Sequence, residues 1–439
     1  MTILIGFILV ILGTIWFLST GCVLGRQKLN LTPRENPERI AVLIAARDES
    51  AVIEDLLESL ERQTIMTTSA ASTKSAPSPL SMRDVFVIVE SDQDPTVKIC
   101  QKHGASVIIR TRPERQRKGY ALDEALKQIL PQHKSYDAYF IFDADNRLAP
   151  DYFEKIFASY RTGYHLATDY RSSKNANENV IAAVSTLTFS MINTIGNQKR
   201  TRRGGNIIFS GTGFYVDGRL VEEWRGWPFH SLTEDYELSL YATLHGFTTT
   251  YNTSAVFYDE QPTRFRQTIA QRTRWIKGYF SARQKYIPLM RQALRRKPSS
   301  RPAPSRTAAP AASLHPNALD VSTYPANPGS LRREAIGVKP VIMILVGVVI
   351  MFLGGLIELC ARGQAGIALL TTLATLALVY FVLMFITIEL IKRERLRLDP
   401  ALRLRTILFN PIYLITYVYC ALKALLVKNV KWTRIEHGE

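Results

Sequence analysis

The chain has 439 residues, 46% of them hydrophobic, and 55 Lys and Arg against 38 Asp and Glu leave a formal net charge of +17. That length holds one large domain or two ordinary ones, and an excess of positive charge this large fits nucleic acid, an anionic membrane face or an anionic substrate. No zinc-finger or RNA-recognition signature is present and much of the basic charge borders long apolar runs, which argues against nucleic acid and for a membrane. Cys22, Cys100, Cys360 and Cys420 are far apart and match no metal spacing; they read as buried free thiols, with no disulfide framework.

In chain order, Ile3 to Gly25 carries no charged residue and is long enough to cross the ~30 Å hydrocarbon layer. Nothing basic precedes it, so residues 1–25 read as a retained transmembrane anchor rather than a cleaved secretory signal. Arg26, Lys28 and Arg34 follow at once and put that end in the cytoplasm. From Ile40, short apolar strands (Ile40–Ala45, Val85–Val89, Val107–Arg110, Tyr139–Phe142) alternate with amphipathic helices (Ala51–Arg62, Thr96–His103, Gly119–Leu130, Asp151–Tyr160). That alternation predicts an α/β domain with a mostly parallel sheet covered on both faces. A long helix over Val180–Arg200 follows, then strands at Ile207–Phe209 and Phe214–Val216, then helices near Glu234–His245 and Arg264–Tyr286. We assign residues 38–290 to this cytoplasmic domain. Thr64–Ser81, almost all Thr, Ser, Ala and Pro, reads as a surface loop, and the Pro-, Ala- and Ser-rich stretch 297–330 as a disordered linker. Two apolar runs within 338–391 have the length of a transmembrane hairpin. The last, 406–428, is interrupted by Asn410, Pro411 and Lys423 and ends in a basic tail. The positive-inside rule then favours an interfacial or re-entrant segment and three crossings, with four as the alternative.

The chemistry is organised by Tyr139–Asn146, Tyr-Phe-Ile-Phe-Asp-Ala-Asp-Asn. Residues two apart on an extended segment face the same way, so Asp143 and Asp145, flanking Ala144, share one space at the end of a strand, where open α/β sheets bind ligands. Two close carboxylates repel unless a cation lies between them, and a hard divalent ion such as Mg²⁺ typically shares such carboxylates with substrate phosphates. Other acids recur at neighbouring strand ends: Ala45-Ala46-Arg47-Asp48-Glu49 after the first, Glu90-Ser91-Asp92 after the second. Lys118-Gly119 opens a helix, where a cation and free backbone N–H groups suit a diphosphate. Thr233-Glu234-Asp235 begins another, and a carboxylate there can take a proton from an attacking hydroxyl; an ordinary helix cap is the competing reading. Gln271, Arg274 and Trp275 are spaced to share one helix face, where Arg274 can neutralise a departing diphosphate and Trp275 can face a sugar ring. The bland alternative is a membrane-surface helix, since Arg266, Arg272, Lys277 and Lys285 are close by.

In this order the motifs resemble those of the membrane-bound inverting glycosyltransferases of family 2, the group of cellulose, hyaluronan and poly-N-acetylglucosamine synthases. The resemblance implies a GT-A-like nucleotide-sugar-binding fold with N- and C-terminal transmembrane helices, in a multi-pass protein of the cell membrane. It implies a UDP-sugar donor, a glycan or lipid acceptor, Mg²⁺ or Mn²⁺, and accessory export or synthase subunits as partners. By the same resemblance Ala45, Arg47, Asp48, Glu49 and Glu90 belong to the nucleotide site, and Lys118 and Gly119 to the diphosphate region. Asp143, Ala144 and Asp145 hold nucleotide and metal, and Asp235, beside Thr233 and Glu234, is the base. Gly211, Thr212 and Gly213 line the acceptor site, and Gln271, Arg274 and Trp275 grip diphosphate and acceptor sugar. Glu90 stands where the family usually has Asp, which bears on base contacts and donor identity. Single addition to a lipid and a catalytically inert nucleotide-sugar-binding membrane component are the competing functions.

Overall fold

The computed structural model describes residues 2–23, 29–66, 78–132, 135–295, 327–337, 339–394 and 396–427. Most of the Thr64–Ser81 loop and of the 297–330 stretch lies outside them. Helix α1 (Thr2–Val23) leads into a domain built on one eight-stranded sheet. Strands β1 (Ile40–Ala45), β2 (Val85–Val89), β3 (Ser106–Ile109) and β4 (Ala138–Asp143) pair parallel in the order β3-β2-β1-β4. Helices α2 (Ile53–Glu61), α3 (Thr96–Lys102), α4 (Lys118–Ile129) and α5 (Tyr152–Thr162) connect or flank them.

The strands are apolar throughout because both faces are covered. Alternate residues of β1 and β4 point to opposite sides. Ala41, Leu43, Tyr139 and Ile141 pack with Leu122, Leu126 and Ile129 of α4; Ile40, Val42, Ile44, Phe140 and Phe142 pack with α2 and with Tyr152, Phe153 and Phe157 of α5. Leu126 is fully buried, and truncation to Ala there costs about 2–5 kcal/mol. This packing fixes the carboxyl ends of β1, β2 and β4 side by side, where the acids lie.

The second half of the sheet is mixed. Strand β5 (Arg147–Leu148) is short, and β6 (Leu166–Ser173), β7 (Phe214–Asp217) and β8 (Thr249–Asp259) complete the order β4-β7-β6-β8-β5. β7 runs antiparallel to both neighbours while β6 and β8 are parallel, so most pairings of the sheet remain parallel. Ile207–Phe209, expected as a strand, is not one. Its N–H groups bond to side chains instead, Ile207 to Thr249 Oγ1, Ile208 to Asn197 Oδ1 and Phe209 to Ser239 Oγ, each at 2.9 Å. The single helix expected over Val180–Arg200 is also interrupted. Helix α6 (Val180–Ser190) passes through a π-helical segment, Met191–Asn197, into α7 (Gln198–Arg202), and Asn197 at that junction bonds both the N–H and, at 2.7 Å, the C=O of Ile208.

Helices α8 (Gly218–Trp224) and α9 (Glu234–Leu244) precede β8, and α10 (Phe265–Arg295) runs beyond the expected end at Tyr286. Helix α11 (Pro328–Ile336) begins inside the stretch expected to be a linker. Its Glu334 is buried among Arg200, Arg283 and Arg333, which ties it to the domain. Three apolar helices follow: α12 (Lys339–Ala361), α13 (Ala365–Arg393) and α14 (Pro400–Leu426). Met343–Ala361, Ala365–Arg393, Pro400–Leu426 and Val180–Arg202 are long and apolar enough to cross a membrane, the last being largely buried within the protein. α1 packs on α12 where Gly6 meets Gly347; a Cβ on either would lie 2.7 Å from the other's carbonyl oxygen, so only small residues allow that approach. Cys100 and Cys420 are buried free thiols, as expected, but Cys360, near the end of α12, is exposed.

Candidate active site

β4 ends at Asp143, whose carboxylate is ion-paired with Lys118 from the first turn of α4 and is 40% exposed. Lys118 Nζ also donates to the Gly211 carbonyl at 2.8 Å, so one cation joins the strand end to the loop before β7. The Asp143 N–H donates to Thr212 Oγ1 at 2.9 Å and Asn146 Oδ1 at 3.2 Å. The Asn146 amide in turn donates to Asp145 Oδ1 at 3.0 Å and Asp259 Oδ1 at 3.2 Å. This network sets the direction of both acids of the Asp-Ala-Asp motif.

Thr233 occupies the N-cap position of α9 but makes no cap hydrogen bond, which removes the ordinary capping reading. It rests instead on Gly278 of α10, where a Cβ would lie 2.5 Å from its Oγ1 and Cγ2. Glu234 and Asp235 follow in the helix's first turn. Burial, then the neighbouring Asp235, pushes the Glu234 carboxyl up to about 8, and burial also raises Asp235. Lys118 lies close enough to favour the charged form of both, and Asp143 close enough to oppose it. A Cβ on Gly211 would lie 3.7 Å from Asp235 Oδ2. From α10, the Arg274 guanidinium is pulled down by burial and held up by Glu234, Asp235 and Asp143. Three acids and two cations therefore share one field. Trp275 meets Phe189 of α6 edge-on at 5.5 Å, while Gln271 lies half-buried on the same helix.

Not every expected residue reaches this space. Ala144 is packed in the core, and Thr212 and Gly213 are buried behind Gly211. A Cβ on Gly213 would lie 2.2 Å from the Phe257 ring, and one on Gly119 1.9 Å from the Phe229 carbonyl oxygen; both glycines serve close packing. Ala45 ends β1 opposite Asp143. Asp48 has a left-handed backbone (φ 55°) and its N–H donates to Asp94 Oδ2 at 3.0 Å. Val52 is the N-cap of α2, and the Glu49 carbonyl accepts from the Val52 and Ile53 N–H groups, each at 3.1 Å. Glu90 is bound by Arg110 at 2.9 Å, with Arg47 at 3.8 Å, so it sits in an Arg–Glu–Arg cluster. Arg272, grouped in sequence with a surface-basic face, is buried: it bonds Tyr413 O at 3.2 Å and Thr416 Oγ1 at 2.8 Å and lies over the rings of Tyr413 and Tyr417 on α14.

For a divalent ion, Asp143 and Asp145 supply two hard-oxygen carboxylates, and among the described residues no cluster of three or more His, Cys, Asp or Glu side chains suits a metal. That donor set fits an ion whose remaining positions are filled by diphosphate and water, and not an all-protein cage.

Residues 140–427 match the family described as glycosyl transferase family group 2, and residues 41–223 the glycosyl transferase family 2 domain. The chain belongs to glycosyl transferase family group 2. It is 27% identical over 209 residues to glucomannan 4-beta-mannosyltransferase 2 of Arabidopsis thaliana, covering 45% of this chain and 39% of that protein. It is 26% identical over 260 residues to the probable glycosyltransferase YdaM of Bacillus subtilis (strain 168), covering 56% and 57%. The transferase thus matches 39% and 57% of the length of these two relatives. Its fold is GT-A-like, similar to that of the mannosyltransferase PcManGT of Pyrobaculum calidifontis, solved with GDP-Man and Mn²⁺, at a TM-score of 0.54 and 17% identity over 98% of this chain and 100% of that one.

Arg171, Asp259, Asn146 and Phe189 were not singled out as site residues in the transferase's sequence. Asn146 adjoins the Asp-Ala-Asp motif and was within reach; the other three lie on segments with no motif, and only the tertiary fold brings them together.

Proposed function

We propose that this chain is a membrane-bound inverting glycosyltransferase that moves a hexose or N-acetylhexosamine from a UDP-sugar to a growing polysaccharide. The observation that carries it is the convergence of Lys118, Asp143, Glu234, Asp235 and Arg274 in one cleft at the carboxyl end of β4. Asp235 accepts the proton of the acceptor hydroxyl as its oxygen attacks the anomeric carbon. The bond from that carbon to the diphosphate breaks, its electron pair leaves with the nucleotide, and the configuration inverts. Lys118 and Arg274 face the charge that gathers on the leaving group. Asp143 and Asp145 would hold Mg²⁺ or Mn²⁺, which when bound supplies Lewis-acid stabilisation of the diphosphate. Arg47, Asp48, Glu49 and Glu90 form the nucleoside end, and Gln271 and Trp275, with the Gly211 backbone, the acceptor end.

A second donor reading has its own support. PcManGT holds GDP-Man and the Arabidopsis relative is a mannosyltransferase, and a carboxylate such as Glu90 can accept from the N1–H and N2–H groups of guanine. Nucleotide release from UDP- and GDP-sugars, assayed side by side on the purified chain with Mn²⁺, decides between them. Release from neither overturns the function.

In the membrane, we place α1, α12 and α13 across the bilayer with residues 38–290 cytoplasmic. Leu370 and Phe385 on α13, 67% and 64% exposed, belong to an apolar surface that lipid would cover. α14 is continuous and begins earlier than expected, yet its middle is held by the catalytic domain, through Arg272 and through Ser185 Oγ to Tyr413 Oη at 2.9 Å. That contact supports an interfacial position for it.

A further inference from the structure

We propose that Arg171 is a positioning residue that couples the metal-carboxylate end of the cleft to its acceptor end, an inference that rests on the function above. Arg171 lies on β6 just past the register shift at Asp169/Tyr170, with its side chain 10% exposed, and its guanidinium does three things at once. Nε, at 2.8 Å, and one terminal nitrogen donate to Asp259 Oδ2. The other terminal nitrogen donates to the Ser210 carbonyl at 2.8 Å. Its face lies 3.7 Å from the centre of the Phe189 ring.

Each contact leads to a different part of the site. Asp259, 2% exposed, accepts through its other oxygen from Asn146, which also binds Asp145 and the Asp143 N–H. Ser210 precedes Gly211, whose carbonyl accepts from Lys118 and whose Cα faces Asp235. Phe189 is the ring against which Trp275 packs. One rigid planar group therefore sets the direction of both acids of the Asp-Ala-Asp motif, the loop beside the base and the aromatic residue of the acceptor end. Arginine suits this because its donors lie in a fixed fork while its face remains free to stack; lysine offers a point charge with neither property.

If the Arg171–Asp259 pair were only a structural ion pair, its loss would lower stability and leave the two ends of the cleft behaving as before. The test uses the full chain in detergent with two readouts. The first is the Mn²⁺ concentration giving half-maximal binding of UDP or GDP, whichever the wild-type chain binds. The second is the ratio of sugar transfer to donor hydrolysis. Outer-shell partners of metal ligands typically change metal affinity by 10–100-fold, so Arg171→Lys should raise the half-saturating Mn²⁺ about tenfold or more and lower the transfer ratio by a similar factor. Metal-free nucleotide binding should not change. Asn146→Ala cuts only the branch to the carboxylates and should move the Mn²⁺ readout while sparing the ratio. If Arg171→Lys matches the wild type, or moves one readout alone, the coupling is wrong. If the wild-type chain shows no Mn²⁺-dependent nucleotide binding, the functional reading itself is wrong and the coupling goes with it.

Discussion

Glu234→Gln separates the roles of the two adjacent acids that open α9. Burial raises both, and Glu234, pushed up to about 8, is mostly protonated at pH 7. As the pH passes about 8, Glu234 adds a negative charge next to an anionic donor. Two unit charges some 6 Å apart repel by roughly 3 kcal/mol at an effective dielectric constant near 20, which is about a hundredfold in a binding or rate constant. The wild-type kcat/KM for sugar transfer should therefore fall above about pH 8. Glu234→Gln cannot ionise, so it should keep near-normal turnover at pH 7 and lose that alkaline fall. Asp235→Asn should bind nucleotide and be nearly inactive at every pH. The assay is the pH profile of transfer for the three proteins from pH 5.5 to 9.5. An alkaline fall that survives in Glu234→Gln, or turnover that survives in Asp235→Asn, refutes the assignment.

Gly278→Ala adds a Cβ 2.5 Å from Thr233 and should lower kcat about tenfold by shifting Asp235, with nucleotide affinity unchanged; equal kcat would show that this contact does not place the base. Glu334 is held down to about 2 by Arg200, Arg333 and Arg283 against its burial. A depressed acid stabilises the fold fully above its ordinary value near 4.5 and loses that contribution as the pH falls toward 2. Glu334→Gln leaves three half-buried arginines without their anion and should cost about 3–5 kcal/mol at neutral pH, seen as earlier thermal unfolding in detergent. The gap from wild type should narrow as the pH is lowered below about 4.5. Arg272→Ala removes the bonds from α10 to Tyr413 and Thr416, each about 1.5–3 kcal/mol for a charged donor; amide exchange over residues 409–420 should speed up, and unchanged protection would show that α14 does not depend on this anchor.

The first half of the domain was legible because its strands are buried on both faces and stay apolar from end to end, so Ile40–Ala45, Val85–Val89 and the strand ending at Asp143 stand out. The second half shows β7 (Phe214–Asp217), expected at Phe214–Val216, but hides β6 and β8. β6 and β8 carry Asp169, Arg171 and Asp259 inward, where Asp169 accepts from Tyr152 and Arg171 pairs with Asp259, and such buried polar residues break the alternation by which a strand is recognised. Arg272 and Arg274 show the limit of a motif read linearly. Two residues apart on a helix of 3.6 residues per turn, they point to nearly opposite sides, one into α14 and the other toward the acids. Gly119, Ala144, Thr212 and Gly213 show the reverse: their place in the motifs was readable, yet they are packing and support rather than surface. α11 was missed because it is short and shows only Leu331 and Ala335 to the core, while its buried Glu334 is held by Arg200 and Arg283 from elsewhere in the domain and by its own Arg333.

The most direct test of the central claim is equilibrium binding of UDP and GDP to the purified chain with and without Mn²⁺, in wild type and in Asp143→Asn. One of the two nucleotides should bind with the ion present, lose most of its affinity on chelation, and bind weakly to Asp143→Asn under either condition. A chain that binds neither nucleotide with Mn²⁺ supplied, or that binds one equally well after chelation and after loss of Asp143, would contradict it.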